Sequence, residues 1–187
     1  SAMTGSTLPG ANARMPTHTR RARPDDLDSL AALAEATFRA AFAAQNDPAE
    51  LEAYVREAFS RERVRGELDD EANVFLLATD ADHAPIGYGK LRTGPADPSV
   101  TGPAPIEIER IYVHPGRTGR GLGSQLMRAL LDEAGARGFR TAWLGVWERN
   151  ERAIRFYESW GFTVVGAHAF HFGAEEQTDV VMQRSVS

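Results

Sequence analysis

Apolar residues recur along this chain at two periods, and each change of period marks an element. Thr17–Arg23 is short, polar and extended in pattern, which predicts a first or edge strand. Leu27, Leu30, Ala31, Leu33, Ala34, Phe38 and Phe42 then repeat at helical spacing behind Pro24-Asp25-Asp26, where a proline and two acids suit a first turn. Gln45-Asn46-Asp47-Pro48 breaks the pattern, and Leu51, Tyr54, Val55, Ala58 and Phe59 resume it as a second helix. Ser60–Glu71 is charged and carries no clear period. Asn73–Asp80 is a β-rich apolar run, and Pro85–Arg92 returns from the turn at Asp82-His83-Ala84 as its hairpin partner. Thr93–Pro105 is a Gly/Pro loop.

Alternation returns at Ile106–Val113. Ile106, Ile108, Arg110 and Tyr112 fall on one parity, and Glu107, Glu109, Ile111 and Val113 on the other. His114-Pro115-Gly116 ends this strand, and Leu122, Leu126 and Leu130, with Met127 and Leu131 beside them, form the stripe of a helix closed by Gly135–Gly138. Phe139–Trp147 reads as a strand, Asn150–Trp160 as a helix ended by Gly161, and Phe162–Phe172 with Thr178–Val186 as a final hairpin. The order β-αα-β-β-β-α-β-α-β-β predicts one α+β domain over 17–187, a mixed and mostly antiparallel sheet with helices on both faces. Residues 1–16 read as a flexible polar leader with an expression scar, without the apolar core of a secretory signal.

Composition narrows the function classes. A length of 187 residues suffices for a real core, and 42% hydrophobic with 25% charged residues is ordinary for a globular domain. The net charge of −5 argues against a nucleic-acid partner. The chain contains no cysteine, which excludes disulfides, cysteine-based zinc sites and an acyl-cysteine intermediate, and suits a cytoplasmic location. No apolar run is long enough to span a membrane, and no His/Asp/Glu cluster has metal-ligand spacing, so no metal is expected.

The central strand, the turn Thr118-Gly119-Arg120-Gly121-Leu122-Gly123-Ser124 and the following helix N-terminus form a candidate anion site. The first turn of a helix has orphan N–H groups and a partial positive charge, and glycines let a phosphate approach them. The Rossmann pattern G-x-G-x-x-G is not met, and a P-loop is ruled out because the only lysine is Lys90. Val113-His114-Pro115 followed by Arg120-Gly121-Leu122-Gly123-Ser124 instead resembles the acetyl-CoA site of the GNAT N-acetyltransferase superfamily, V-x-P and then (Q/R)-x-x-G-x-(G/A). The family's Gln or Arg falls on Thr118, beside Arg117. A second segment, Asn150 through Ala153, Phe156, Tyr157, Gly161 and Phe162, matches that family's N-x-x-A-x-x-(F/L)-Y-x-x-x-G-F at every defined position.

The resemblance implies a GNAT fold and an acetyl-CoA co-substrate. Its pyrophosphate would lie on Thr118–Ser124 and its pantetheine beside Ile111, Tyr112 and Val113, with the Val113 N–H polarising the thioester carbonyl. Asn150 would hold the pantetheine arm or nearby backbone, and the Tyr157 hydroxyl would protonate the departing thiolate. A phenol at such a place can act as an acid; without the flanking motif, Tyr157 reads equally as a core aromatic. An attacking amine must also lose a proton. Glu107 and Glu109 are the candidate bases, two carboxylates on one parity of a strand expected to be central. Glu107 aligns with the base of histone-acetylating members, and either acid could instead pair with Arg110 or Arg92. His114, His168 and His171 are weaker candidates. His114 suits surface packing, and His171 with Asp179 suits a cross-strand pair.

Thr37-Phe38, Phe42 through Asn46, the LGVWERNERAIRFYESWGF segment, Gly166-Ala167-His168, Phe170 and Gly173 through Met182 resemble the bacterial spermidine/spermine N-acetyltransferase branch, implying a small polyamine acceptor. Asn46–Asp82 holds eleven acids against four arginines, a net −7 that would attract a polycation. A protein N-terminus or lysine is the alternative acceptor, and a CoA-binding sensor without turnover the alternative class. A homodimer is left open.

Overall fold

The computed structural model describes residues 17–172 and 175–187; the leader expected over 1–16, and Gly173 of the last hairpin, lie outside the described residues. The strands are β1 (His18–Arg21), β2 (Asn73–Thr79), β3 (Pro85–Arg92), β4 (Pro105–Val113), β5 (Thr141–Trp147), β6 (Thr163–Phe172) and β7 (Glu175–Ser185). The helices are α1 (Leu27–Phe42), α2 (Pro48–Ala58), α3 (Arg61–Asp69), α4 (Leu122–Ala136) and α5 (Glu151–Ser159). One seven-stranded sheet has the order β1-β2-β3-β4-β5-β7-β6, and β4–β5 is its one parallel neighbour pair. Helices cover both faces. Met127, Leu130 and Leu131 of α4 pack with Val74, Leu91, Ile106, Ile108 and Leu144 on one side, where Leu122 and Leu126 pack with Ala78 and Ile86. Leu30, Phe38, Val55 and Val64 of α1–α3 pack with Phe75, Leu77 and Tyr88 on the other.

Two expectations are corrected. The charged stretch Ser60–Glu71 contains a helix, α3, so five helices stand where the pattern showed four. Its only fully buried apolar side chain is Val64, too little to produce a hydrophobic period. Ser60 caps it by accepting from the Arg63 N–H at 3.1 Å. Glu67 fastens it to the sheet through Lys90 Nζ at 3.3 Å and Arg110 at 3.2 Å.

The second correction concerns β4. Leu91 pairs with Ile108 and Lys90 with Arg110, so Glu109 is an extra residue, a β-bulge. The bulge reverses the alternation. Ile106 and Ile108 face α4 before it, and Ile111 and Val113 face α4 after it. Glu107 and Glu109 do share a face, but with Arg110 and Tyr112 of the α1–α3 side rather than with Ile111 and Val113.

Lys90 lies under this bulge with its side chain only 3% exposed, its ammonium 2.6 Å from Glu109 and 5.5 Å from the Phe75 ring centroid. Arg110, also partly buried, spans Glu67 and the Phe59 ring. A buried ion set holds only while each charge keeps its partner, because removing one leaves another desolvated and uncompensated. Lys90→Met is therefore expected to lower unfolding stability by about 3 kcal/mol. Urea unfolding checks this, and an unchanged midpoint would show that the cluster contributes nothing net.

Candidate active site

β4 and β5 are laddered only at Pro105–Thr141, Ile106–Ala142 and Glu107–Trp143. Beyond these the strands part, although β4 continues to Val113 along β3 and β5 to Trp147 along β7. Two central strands thus face each other across a slot with backbone polar groups that do not pair with one another. Such edges suit an extended, amide-bearing chain entering as a further strand. Ile111, Tyr112 and Val113 line its β4 edge.

The slot leads to the turn before α4. His114 Nδ1 accepts from the Gly116 N–H at 3.2 Å, so this histidine shapes the turn. Thr118, Gly119, Arg120 and Gly121 are exposed. Gly119 and Gly121 both take φ of +78°, where a side chain is strained. Gly121 is the α4 N-cap and offers no side-chain acceptor, and the first turn carries no acid. The N–H groups of Leu122, Gly123 and Ser124 therefore have the positive end of a fifteen-residue helix and no anion built into the chain. Gly123 lies against Phe156, 3.5 Å from where its Cβ would stand, which sets α4 closely beside α5. Arg117 bonds Asp80 of the β2–β3 turn at 3.3 Å.

Asn150 caps α5, accepting from the Ala153 N–H at 3.2 Å. Two turns further, Tyr157 packs edge-on to Phe156 and Phe162. Burial, and then the neighbouring Tyr112, push the Tyr157 hydroxyl above the usual phenol range. Tyr112 belongs to β4 and packs towards α1–α3, whereas Tyr157 packs on the α4 side. The Tyr157 phenol is therefore protonated at neutral pH, the state that a proton donor needs, although burial also makes it a weaker acid.

The two carboxylates have separate environments. Glu109 is engaged by Lys90. Glu107, where the strands part, is pushed up to about 7 by burial and by the charge of Glu109, with Arg92, Lys90 and His168 opposing. A carboxyl near 7 is matched to proton abstraction at neutral pH. Sequence reasoning could not separate the two acids, because the separation depends on Lys90 and on the bulge. His168, rather than His171, partners Asp179 across the last hairpin, with Nε2 at 3.6 Å, while Nδ1 meets Asp97 at 3.0 Å. Asp97, in the 93–104 loop, had no sequence signal. Among the described residues no His/Asp/Glu group could hold a metal.

The sequence profile of the Acetyltransferase (GNAT) family matches residues 29–162. The chain belongs to this family. An uncharacterized N-acetyltransferase in the pepI 3′ region of Lactobacillus delbrueckii subsp. lactis is 32% identical over 162 residues, 86% of this chain and 92% of that protein. A phosphinothricin N-acetyltransferase of Streptomyces coelicolor is 34% identical over 93 residues, 49% of this chain and 53% of that protein. Among solved structures, the PaiA N-acetyltransferase of Thermoplasma acidophilum in complex with coenzyme A superposes with a TM-score of 0.74 at 23% identity, covering 91% of this chain and 99% of that one. The protein is thus an N-acetyltransferase of the GNAT fold with acetyl-CoA as co-substrate, and the slot and the glycine turn have the features that a pantetheine arm and a pyrophosphate require.

Gly121→Val puts a β-branched side chain at φ +78° on the cradle. Left-handed backbone costs a non-glycine residue about 1–2 kcal/mol, and blocked N–H groups add to this. Calorimetry should show CoA affinity falling at least about tenfold, which corresponds to 1.4 kcal/mol, with far-UV circular dichroism retained. Affinity within about twofold of the parent, roughly 0.4 kcal/mol, would remove the turn from the cofactor site.

Proposed function

We propose that this enzyme transfers the acetyl group by direct attack of a small polycationic primary amine, such as spermidine or spermine, with Glu107 as base and Tyr157 as acid. The observation that carries the reading is the half-buried Glu107 carboxyl where β4 and β5 part, on a face that also holds Asp179 and aromatic rings. On that face Phe42 of α1 lies 6.1 Å from Trp147 of β5, and Gln177 of β7 donates to Asn46 of the α1–α2 link at 2.9 Å. Carboxylates among aromatic faces attract ammonium groups.

Acetyl-CoA supplies the thioester. Glu107 accepts the proton that the amine loses, directly or through a water. The Val113 N–H polarises the thioester carbonyl, and Tyr157 gives its proton to the leaving thiolate. The net −7 of Asn46–Asp82 is weaker support than the sequence suggested. Glu52, Glu67 and Asp80 are paired with Arg39, Lys90, Arg110 and Arg117 from outside the segment. Steering is therefore assigned to the acids near the slot. The acceptor alternatives are a protein N-terminus or lysine, and the phosphinothricin enzyme is a relative named for an acceptor that is not a polyamine.

Tyr157→Phe should lower kcat by about 10²–10³-fold, the scale of acid–base effects, while leaving acetyl-CoA affinity nearly unchanged. Turnover within about twofold, far below that scale, would leave Tyr157 as packing. In a thiol-release panel, spermidine and spermine should be the best acceptors. Their kcat/KM should fall with salt more steeply than that of a monoamine, as the Debye length shrinks from about 30 Å at 0.01 M to about 3 Å at 1 M. Peptides with free N-termini outcompeting both polyamines would sink the acceptor assignment and leave the acetyltransferase standing. Glu107→Gln should depress the rate at neutral pH and recover partly at high pH, where free amine is plentiful. A normal rate at pH 7 would remove Glu107 as base.

A further inference from the structure

The turn before α4 is tied back to the β2–β3 hairpin by two contacts. The His114 N–H donates to the Ile86 carbonyl of β3 at 2.7 Å. Further along, Arg117 Nη2 donates to Asp80 Oδ2 at 3.3 Å, across 37 residues of chain. Arg117 closes the short 3-10 turn Pro115–Arg117, its own N–H bonded to the His114 carbonyl at 2.8 Å. Beyond it the chain reaches α4 through Gly119 and Gly121, both at φ +78°. Ordering glycines costs more entropy than ordering any other residue. Arg117 is therefore the last side chain that fixes the path before the N–H groups of the helix.

Asp80 is built as an anchor. It follows β2 directly and is only 7% exposed. Its Oδ1 accepts from the Asp82 N–H at 2.9 Å and from the Ala84 N–H at 3.0 Å. The Asp80 N–H donates to the Ala84 carbonyl, and the His83 N–H to the Asp80 carbonyl, each at 3.0 Å. The hairpin turn is thus wound around this carboxylate, with His83 held at φ +63°, a left-handed backbone that costs a non-glycine residue energy. One carboxylate oxygen serves the hairpin, and the other is left for Arg117. The strands on either side of the turn are laddered to each other, and β3 to β4, so the anchor is as fixed as the sheet.

We propose that Asp80 is a positioning residue for the cofactor: through Arg117 it pins the glycine turn to the β2–β3 hairpin in the shape that receives the pyrophosphate of acetyl-CoA. Binding then does not have to order the turn, and that saving appears as affinity. The inference rests on the reading of the turn at Thr118–Ser124 as the pyrophosphate cradle.

Two simpler roles for Asp80 give the opposite sign. A carboxylate close to the site of a polyanion repels it, so removing the charge would tighten CoA. An Arg117 released from Asp80 and free to meet the phosphates would tighten it as well. A tether alone makes the loss of an acid weaken the binding of an anion.

The test is calorimetry of CoA binding to the full chain, with steady-state kinetics beside it. Asp80→Asn keeps an oxygen for the Asp82 and Ala84 N–H groups but sets an NH2 group against the Arg117 guanidinium, two donors facing each other. It cuts the tether and spares the hairpin turn. The Kd for CoA should rise about fivefold, the upper scale of a partly exposed ion pair. Arg117→Gln should raise it by a similar factor. The double variant should be no weaker than the weaker single one, because either change opens the same contact. The KM for acetyl-CoA should rise in parallel, while kcat at saturating acetyl-CoA does not fall and the amine KM stays at the parent value. Asp80→Ser, whose hydroxyl also serves a turn N–H, gives the same reading if the asparagine variant does not fold.

CoA binding that is tighter, or within about twofold of the parent, in a folded Asp80 variant would overturn the inference. Additive losses in the double variant would do so too, since Arg117 would then act independently of Asp80. A fall in kcat matching the rise in KM would mark general damage and would also overturn it. Gly121→Val separates the two failures. If that variant binds CoA as the parent does, the turn is not the cradle and both readings fall. If it loses CoA while Asp80→Asn does not, the cradle stands and only the tether is wrong.

Discussion

The buried contact between Lys90 and the extra residue of β4 is the constraint on which the site depends. An inserted residue in a central strand must be held, since it interrupts a ladder and turns side chains to the wrong face. Here the inserted residue is Glu109, and the ammonium beneath it is supplied by the neighbouring strand. Glu67 and Arg110 extend the contact to α3, so a surface helix with little apolar surface becomes part of the scaffold of the site. The bulge leaves Ile111 and Val113 packed towards α4 while Glu107, Glu109 and Tyr112 look to the opposite layer.

The same contact divides the work of two carboxylates. Glu109 has a cation at ion-pair distance, and its charge in turn raises Glu107. Similar groups two residues apart thereby acquire different chemistry, a structural anchor and a titratable group near neutrality. Tyr157 of α5 is shifted by burial as well. Its burial favours the neutral phenol, as burial of Glu107, where β4 parts from β5, favours the neutral acid. Desolvation thus favours the neutral form of both groups, the acid of Glu107 and the phenol of Tyr157.

The residues proposed here for the acceptor and those proposed for the cofactor lie in different parts of the chain. The glycine turn, Asn150 and Tyr157 lie in the segments from β4 to α5, whereas the facing wall is assembled from α1, α2, the 93–104 loop, β6 and β7. Contacts such as Asn46–Gln177 and Asp97–His168 join residues far apart in the chain. Relatives can keep the first set and vary the second, which agrees with a family match over 29–162 and with a relative acting on phosphinothricin.

The sequence by itself determined every strand, four of the five helices, the glycine turn and the helix that bears Tyr157. Those features rest on local physics: period, capping by Asn150, proline breaks, and glycines at positive φ. It also supplied Glu107 and Glu109 as a pair on one face. Only the tertiary structure decided which other residues share that face, because a bulge adds one residue without any mark in the alternation. It alone revealed α3, whose stability comes from Glu67 reaching Lys90 and Arg110 rather than from an apolar stripe. It alone chose His168 over His171 as the partner of Asp179 and brought in Asp97, since a cross-strand partner depends on register, and a loop residue's partner on where the loop is fastened. Local spacing specifies elements; the charges that tune the site come from long-range contacts, and no spacing encodes them.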